Sequence, residues 1–276
     1  MNILVISPKN LYIIQRLKEE ALKAGVGLDV VSVGDLEKID FQVDISKYNV
    51  LYVRNPYLNG FPDLLPKVVK MAKNFKTQGK KVVDAIIAEG VLGEGKWKDY
   101  QKLQKNNLPI PKTTCLNHGR DLSRLKYPFI LKWVFGFKAK DVFLVKNVNQ
   151  LAKLLPLHPR NEWLIQKFIE ADCEYKVITI GYRSEPVLLK FKIAETGFGI
   201  KYRTGRPINS ADLPEVVSLA QRAAKLLGRE LAKVDILYSQ GKYYILEVNR
   251  FPGIKPFESL TKCNLAGEFL RYLMEF

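Results

Sequence analysis

The sequence predicts a mixed fold: an N-terminal α/β unit on a parallel sheet, followed by an α+β body with antiparallel sheets. Three observations support this. Residues 1–85 alternate strand-like and helix-like segments, the βαβ rhythm of a parallel sheet with crossover helices. Residues 86–95, IIAEGVLGEG, carry three glycines and read as a linker. From residue 127 onward, short apolar runs are separated by turn-like breaks, as in antiparallel sheets.

Taken in order, NILVIS (2–7) is a buried strand. NLYIIQRLKEEALKAG (10–25) has apolar residues near helical spacing and stops at a glycine, as helices often do. LDVVSV (28–33) and NVLYVRN (49–55) are strands, LPKVVKMAKNFKTQG (65–79) a helix, and KKVVDA (80–85) a further strand. SPKNLY follows the first strand where a dinucleotide-binding unit would have G-x-G-x-x-G. This unit therefore reads as a support or acceptor-substrate domain. KWKDYQKLQKNN (96–107) is a helix stopped by the prolines of LPIPKT (108–113). YPFILKWV, DVFLVK, EWLIQKFI, EYKVITIG and EPVLLKFKIA follow as strands, then a helix LPEVVSLAQRAAKLLG (213–228), a hairpin, and a last helix LAGEFLRYLMEF (265–276). The expected division is 1–93, 94–165 and 166–276.

The chain has 276 residues, enough for two or three compact units. Its hydrophobic fraction of 47% fits a globular protein rather than a disordered one. It has no apolar stretch of about 18 residues, so no membrane span is expected, and MNILVIS is too short for a signal peptide. Cys115, Cys173 and Cys263 are scattered with no CxxC spacing, which fits free thiols in the cytoplasm. The formal charge of +16 attracts polyanions: nucleotide phosphates, acidic peptides or nucleic acid. A lysine-rich solvated surface reads equally well.

Chemistry concentrates in the hairpin VDILYSQGKYYILEVNRFPG (234–253). Strand alternation puts Glu247 and Asn249 on one face with Tyr243 and Ile245, and Leu246 and Val248 on the other. A two-residue loop would then pair Asp235 with Leu246 and turn it away from Glu247. A three-residue loop, Ser239-Gln240-Gly241, pairs Asp235 with Ile245 and gathers Asp235, Glu247 and Asn249 on one face. Three oxygen-bearing side chains there suit a hard cation such as Mg²⁺. The sequence expectation is therefore the three-residue loop.

The run VDIL…YYILEVNRFPG resembles the ATP-grasp signature D-hydrophobic…E-V-N-x-x-P-G. GKWKDYQKLQKNNLPIPKT, YPFILKWVFG and EWLIQKFIEADCEYKV follow in that family's order. Over residues 94–276 the chain is most similar to the RimK-like glutamate ligases. The resemblance implies an ATP-grasp fold, in which two α+β subdomains clasp ATP behind an N-terminal parallel-sheet domain. It also implies a carboxylate–amine ligase working through an acyl phosphate, with ATP and two Mg²⁺ ions, Mn²⁺ being able to substitute. By the same resemblance, Asp235, Glu247 and Asn249 match magnesium ligands, and Lys96 and Lys132 match lysines that approach the phosphates. Gln166, Lys167, Phe168 and Ile169 match the hinge at the adenine edge. Glu174 matches the residue that holds the ribose hydroxyls, and Lys176 takes the place of an arginine near the reacting phosphate. Within its apolar run FILKWV, Lys132 also needs a reason for its charge, and phosphate contact supplies one.

Two segments depart from the family. The phosphate loop, glycine-rich in relatives, reads FGFKAKDV (135–142). Only Gly136 survives; Ala139 and Asp141 stand where glycine is usual, and Lys138 and Lys140 supply direct charge. In AETGFGIKYRTGRPINS (194–210), Arg203 and Arg206 replace an asparagine–arginine pattern and are able to hold a carboxylate or acyl phosphate. The same stretch reads equally as a basic loop. Arg54 follows the strand VLYV, where an acceptor-binding residue is expected by topology. The expected partners are ATP, an amino acid and a carboxylate substrate such as an acidic peptide or anionic coenzyme. Neither membrane nor nucleic acid is expected, and a homo-oligomer is left open. The competing expectation is a nucleotide- or nucleic-acid-binding homologue that has kept the fold and lost catalysis.

Overall fold

The computed structural model describes residues 1–38, 42–54, 64–90, 95–116, 122–136, 141–182, 187–196, 199–202 and 205–276. The first unit has strands β1 (Asn2–Ile6), β2 (Gly27–Val31), β3 (Val50–Val53) and β4 (Lys81–Val82) and helices α1 (Tyr12–Ala24), α2 (Val33–Lys38) and α3 (Leu64–Thr77). The strands form a parallel sheet in the order β2-β1-β3-β4, as the βαβ alternation implies. α1 buries Ile13, Ile14, Leu17 and Ala21 along one face, and Gly25, at φ 65°, closes it in the left-handed conformation.

A second sheet contains β5 (Thr113–Cys115), β6 (Phe129–Trp133), β7 (Val142–Val145) and β8 (Trp163–Lys167), in the order β5-β8-β6-β7 and antiparallel. Helix α4 (Lys96–Lys105) precedes it, and α5 (Val148–Leu154) packs beneath it. The third sheet holds β9 (Cys173–Ile180), β10 (Val187–Thr196), β11 (Gly199–Tyr202), β12 (Arg206–Ile208), β13 (Leu231–Ser239) and β14 (Lys242–Asn249). Its order is β11-β10-β9-β13-β14, with β12 also on β10. Residues 194–210, which read equally as a basic loop, contribute β11 and β12. Among the described residues, no helix is long and apolar enough to cross a membrane.

The third sheet has two unlike faces. One carries Tyr175, Val177, Val234, Ile236, Ile245 and Val248 into a core with α6 (Pro214–Leu226). Alanines 220, 223 and 224 on α6 bring that helix close to the sheet. The other face carries Ile178, Ile180 and Leu231 into the core of the parallel sheet, which also takes in α7 (Lys255–Thr261) and α8 (Leu265–Leu273). The C-terminal helix thus packs on the N-terminal unit: the rings of Tyr52 and Phe269 meet edge to face at 5.1 Å.

A buried polar network ties the same units together. Asp84 accepts from Glu230 N at 2.6 Å and pairs with Arg250 Nε at 3.0 Å. Glu230 pairs with Lys81 at 2.9 Å and accepts from the Tyr272 hydroxyl at 2.7 Å.

The hairpin differs from the expectation. Ser239 pairs with Lys242, so the loop is the two residues Gln240-Gly241, at φ 49° and 76°. Regular pairing would then place Asp235 opposite Leu246. Instead the ladder shifts between Asp235 and Ile236, so Ile236 faces Ile245 and Asp235 faces Glu247. Leu246 is the extra residue of a β-bulge. Tyr243 and Ile245 lie on the α6 side, not on the face of Glu247. The cause is burial: Ile245 and Val248 both belong in that core, and an unbulged strand cannot send residues three apart to one face.

Candidate active site

The second and third sheets face each other across a cavity of about 1060 Å³. From the second sheet, Ile130, Lys132, Val142, Leu144 and Gln166 line it. From the third come Glu174, Lys176, Lys233, Asp235 and Glu247, with Asn249 at the strand end. β6 alternates cleanly: Phe129 and Leu131 enter the α5 core while Ile130 and Lys132 enter the cavity. Alternation along β9 does the same for Glu174 and Lys176, leaving Tyr175 and Val177 on the α6 side.

Asp235, 6% exposed, is the focus of charge. Its Oδ2 pairs with Lys233 Nζ at 3.1 Å and Lys176 Nζ at 3.7 Å. Its Oδ1 is buried with no hydrogen-bond partner. Burial raises its pKa above the ordinary carboxylate value; Lys233 and Lys176 oppose that shift and Glu247 adds to it. Burial opposes charge on Lys176, but Asp235 and Glu174 outweigh it and hold that ammonium above the usual lysine value. Lys176 Nζ donates to Glu174 Oε1 at 3.1 Å.

Glu247 lies 3.9 Å from Lys96 Nζ, which also donates to the Gly136 carbonyl. Burial pulls the Lys96 ammonium below its usual pKa. Lys98, two residues on, is exposed. Lys132, 7% exposed, donates to the Tyr100 hydroxyl at 3.2 Å, and that hydroxyl donates to the carbonyl of bulged Leu246 at 2.6 Å.

The donor set fits a divalent cation. A buried, unsatisfied carboxylate oxygen stands directly across the ladder from a second carboxylate, and two ammonium groups already gather at the first. Among the described residues no three His, Cys, Asp or Glu side chains form such a group; Asn249, which also lines the cavity, carries an amide oxygen able to serve as a third donor.

Gln166, Lys167, Phe168 and Ile169, the residues expected at the hinge, all line the cavity. Gln166 is buried and donates to Thr113 Oγ1 at 2.9 Å. The Lys167 side chain is exposed and its backbone N–H donates to Lys112 O at 2.8 Å. At Gly136 a Cβ would stand 3.1 Å from the Trp133 carbonyl, so a tight turn explains the one glycine kept. Asp141 does not line the cavity; its carboxylate meets His158 Nε2 at 3.3 Å. Lys138, Ala139, Lys140 and Arg203 lie outside the described residues. Arg206, expected near the substrate carboxylate, is exposed on β12 opposite Lys190 and does not line the cavity. The short edge strand holds it there.

Sequence reasoning passed over Lys233 and Tyr100. Lys233 shares the parity of Asp235 on β13 and was legible once that face was assigned. Tyr100 was not: its role depends on α4 meeting the bulge.

The RimK-like ATP-grasp domain family matches residues 93–273. A probable alpha-L-glutamate ligase from Rhodopirellula baltica is 26% identical over 98% of this chain and 70% of its own length. The ATP-grasp ligase PsnB, in complex with a minimal precursor, Mg and ADP, superposes with a TM-score of 0.74 at 18% identity, covering 99% of this chain and 97% of that one. A D-alanine–D-alanine ligase from Bacillus anthracis gives 0.65 at 17% identity, covering 100% and 96%. The chain belongs to the RimK-like ATP-grasp family of ligases, which join a carboxylate to an amine at the expense of ATP.

Proposed function

We propose that this cavity activates a carboxylate with MgATP and passes it to an amino group, adding glutamate or another amino acid to an acidic acceptor. The observation that carries the reading is Asp235 facing Glu247 across the ladder in a cavity also lined by Lys96 and Lys132. Asp235, Glu247 and Asn249 would hold Mg²⁺, two ions in this reading. The metal, when bound, neutralises charge on the phosphates.

Lys96 and Lys132 orient the terminal phosphate, and Lys176 steadies the oxygens that gain charge during transfer. The hinge at 166–169 receives the base, and Glu174 receives the ribose. A substrate carboxylate oxygen attacks the γ-phosphorus, and ADP leaves. The amine nitrogen then attacks the acyl carbon, inorganic phosphate leaves, and the nitrogen loses a proton to give the amide. The chain itself needs no covalent nucleophile. The +16 charge favours an acidic acceptor. The proposed division of labour is 1–93 for acceptor binding, with 94–165 and 166–276 closing on the nucleotide.

The test is ADP release with ATP and Mg²⁺ across amino acids paired with acidic acceptors, including oligoglutamate peptides, with products read by mass spectrometry. An amide product with stoichiometric ADP is expected. Tight MgATP binding with no ADP above background in any pairing would sink the proposal and favour a fold that has lost its reaction.

A further inference from the structure

One wall of the cavity is chemically unlike the rest. Leu11, Tyr12, Ile13 and Arg54 of the parallel-sheet unit, with residues 251–255, contribute no carboxylate to the lining. Arg54 follows the carboxyl end of β3 and is 6% exposed. Its Nη1 donates to the Tyr52 hydroxyl at 2.9 Å, and its guanidinium lies 5.5 Å from the centre of the Phe251 ring. Its Nε is buried without a hydrogen-bond partner, and no described carboxylate pairs with it.

The buried acids of neighbouring elements are already engaged. Asp84 holds Arg250 and Glu230 N. Glu258 accepts from the Tyr12 hydroxyl, Arg16 and Ala266 N. A buried guanidinium left this way calls for an anion from outside the chain.

The start of α1 offers a second, independent sign. Leu11, its N-cap, supplies no side-chain oxygen, and its first turn carries no acid. Leu11, Tyr12 and Ile13 line the cavity, so the N–H groups that a helix start leaves unpaired are available to a ligand there. The wall is also close to the metal ligands. Phe251, beside Arg54, is two residues beyond Asn249, a backbone reach of about 7 Å.

We infer that Arg54 and the start of α1 anchor a second carboxylate of the acid substrate, which is therefore a dicarboxylate. One carboxylate is activated beside Asp235, Glu247 and Lys96; the other is fixed by Arg54. This rests on reading the cavity as a ligase site. It adds a specificity that the ligase reading does not require.

Calorimetry on the full chain with Mg²⁺ and a non-hydrolysable ATP analogue tests it. The probes are N-acetyl-glutamate and its two monoamides, N-acetyl-glutamine and the α-amide, whose blocked nitrogens confine them to the acid role. The diacid is expected to bind about tenfold tighter than either monoamide, the scale of one charge-assisted contact. In Arg54→Met and Arg54→Gln that advantage disappears while affinity for the nucleotide analogue stays within about twofold.

Equal or undetectable binding of the three probes to the native chain overturns the inference and requires no variant. So does a loss of nucleotide affinity in the Arg54 variants equal to the loss for the diacid, since Arg54 would then serve the phosphates. An inactive protein that still prefers the diacid would keep this inference and refute the ligase reading. An active ligase indifferent to the second carboxylate would do the reverse.

Discussion

Asp235 stands directly opposite Glu247 in the β13–β14 ladder because Leu246 is taken up as a bulge. The two carboxylates share the cavity face, while Val234 and Val248 next to them share the core face. The bulge carbonyl is held by the Tyr100 hydroxyl, which also receives Lys132. One local irregularity thus links the two carboxylates, Lys132 and the α4 helix.

Glu247→Gln keeps the shape of the side chain and removes its charge. ADP formation should fall by more than about 100-fold, since loss of groups that merely support metal ligands already costs about 10–100-fold. Circular dichroism should be unchanged, because Glu247 is partly exposed and outside the core clusters. Turnover at the native rate would remove Glu247 from the proposed metal site.

Lys96 should impose a pH limit on nucleotide binding. Burial lowers its pKa, with Lys132 adding to that effect and Glu247 opposing it. As pH rises, the free protein loses this proton before an ordinary lysine would, and bound phosphate favours the charged form. MgATP affinity should therefore fall toward alkaline pH, with proton uptake on binding beginning below the ordinary lysine range. Lys96→Arg stays protonated and should abolish the uptake. Calorimetry in two buffers of different ionisation enthalpy reads this directly.

Asp84 should make the fold less stable as pH rises. Burial lifts its pKa to about 7, with Arg250 and the Glu230 N–H opposing the shift. The unfolded carboxyl titrates near 3.8. Between those values the folded state holds the proton more tightly than the unfolded one, so this group's contribution is full below the lower value and lost as pH approaches 7. Asp84→Asn should flatten that slope in urea unfolding followed from pH 4 to 8. Asparagine tolerates the left-handed backbone here, at φ 54°. An unaltered slope would assign the pH dependence elsewhere.

The Gln240-Gly241 turn should respond to residue type. Both positions have positive φ, and asparagine–glycine is the favoured pair for such a two-residue loop. Gln240→Asn should raise the unfolding midpoint slightly. Gly241→Ala should lower stability by about 1–2 kcal/mol, the cost of a left-handed backbone with a Cβ. If Gly241→Ala were neutral, the turn would not have this geometry.

Much of the fold was legible in the chain because periodicity and breakers are local. The run Ile13, Ile14, Leu17, Ala21 announces one buried helical face and Gly25 its end. The strand–helix rhythm to Val82 announces a parallel sheet. Shorter pieces such as α5 and β5 were not legible, since seven residues or three carry too little pattern. The packing of Phe269 on Tyr52 joins residues far apart in sequence and leaves no local trace.

The sequence by itself determined which side chains are available to the site: Asp235, Glu247 and Asn249 on adjoining strands, with Lys96 and Lys132 in the preceding segments. Tertiary structure decided how they meet. Parity within an isolated hairpin calls for a three-residue loop, and the chain instead makes a two-residue turn and a bulge. The reason is that register answers to both faces of the sheet. Ile245 and Val248 must enter the α6 core together, and the strand yields at Leu246 so that Glu247 can still face Asp235.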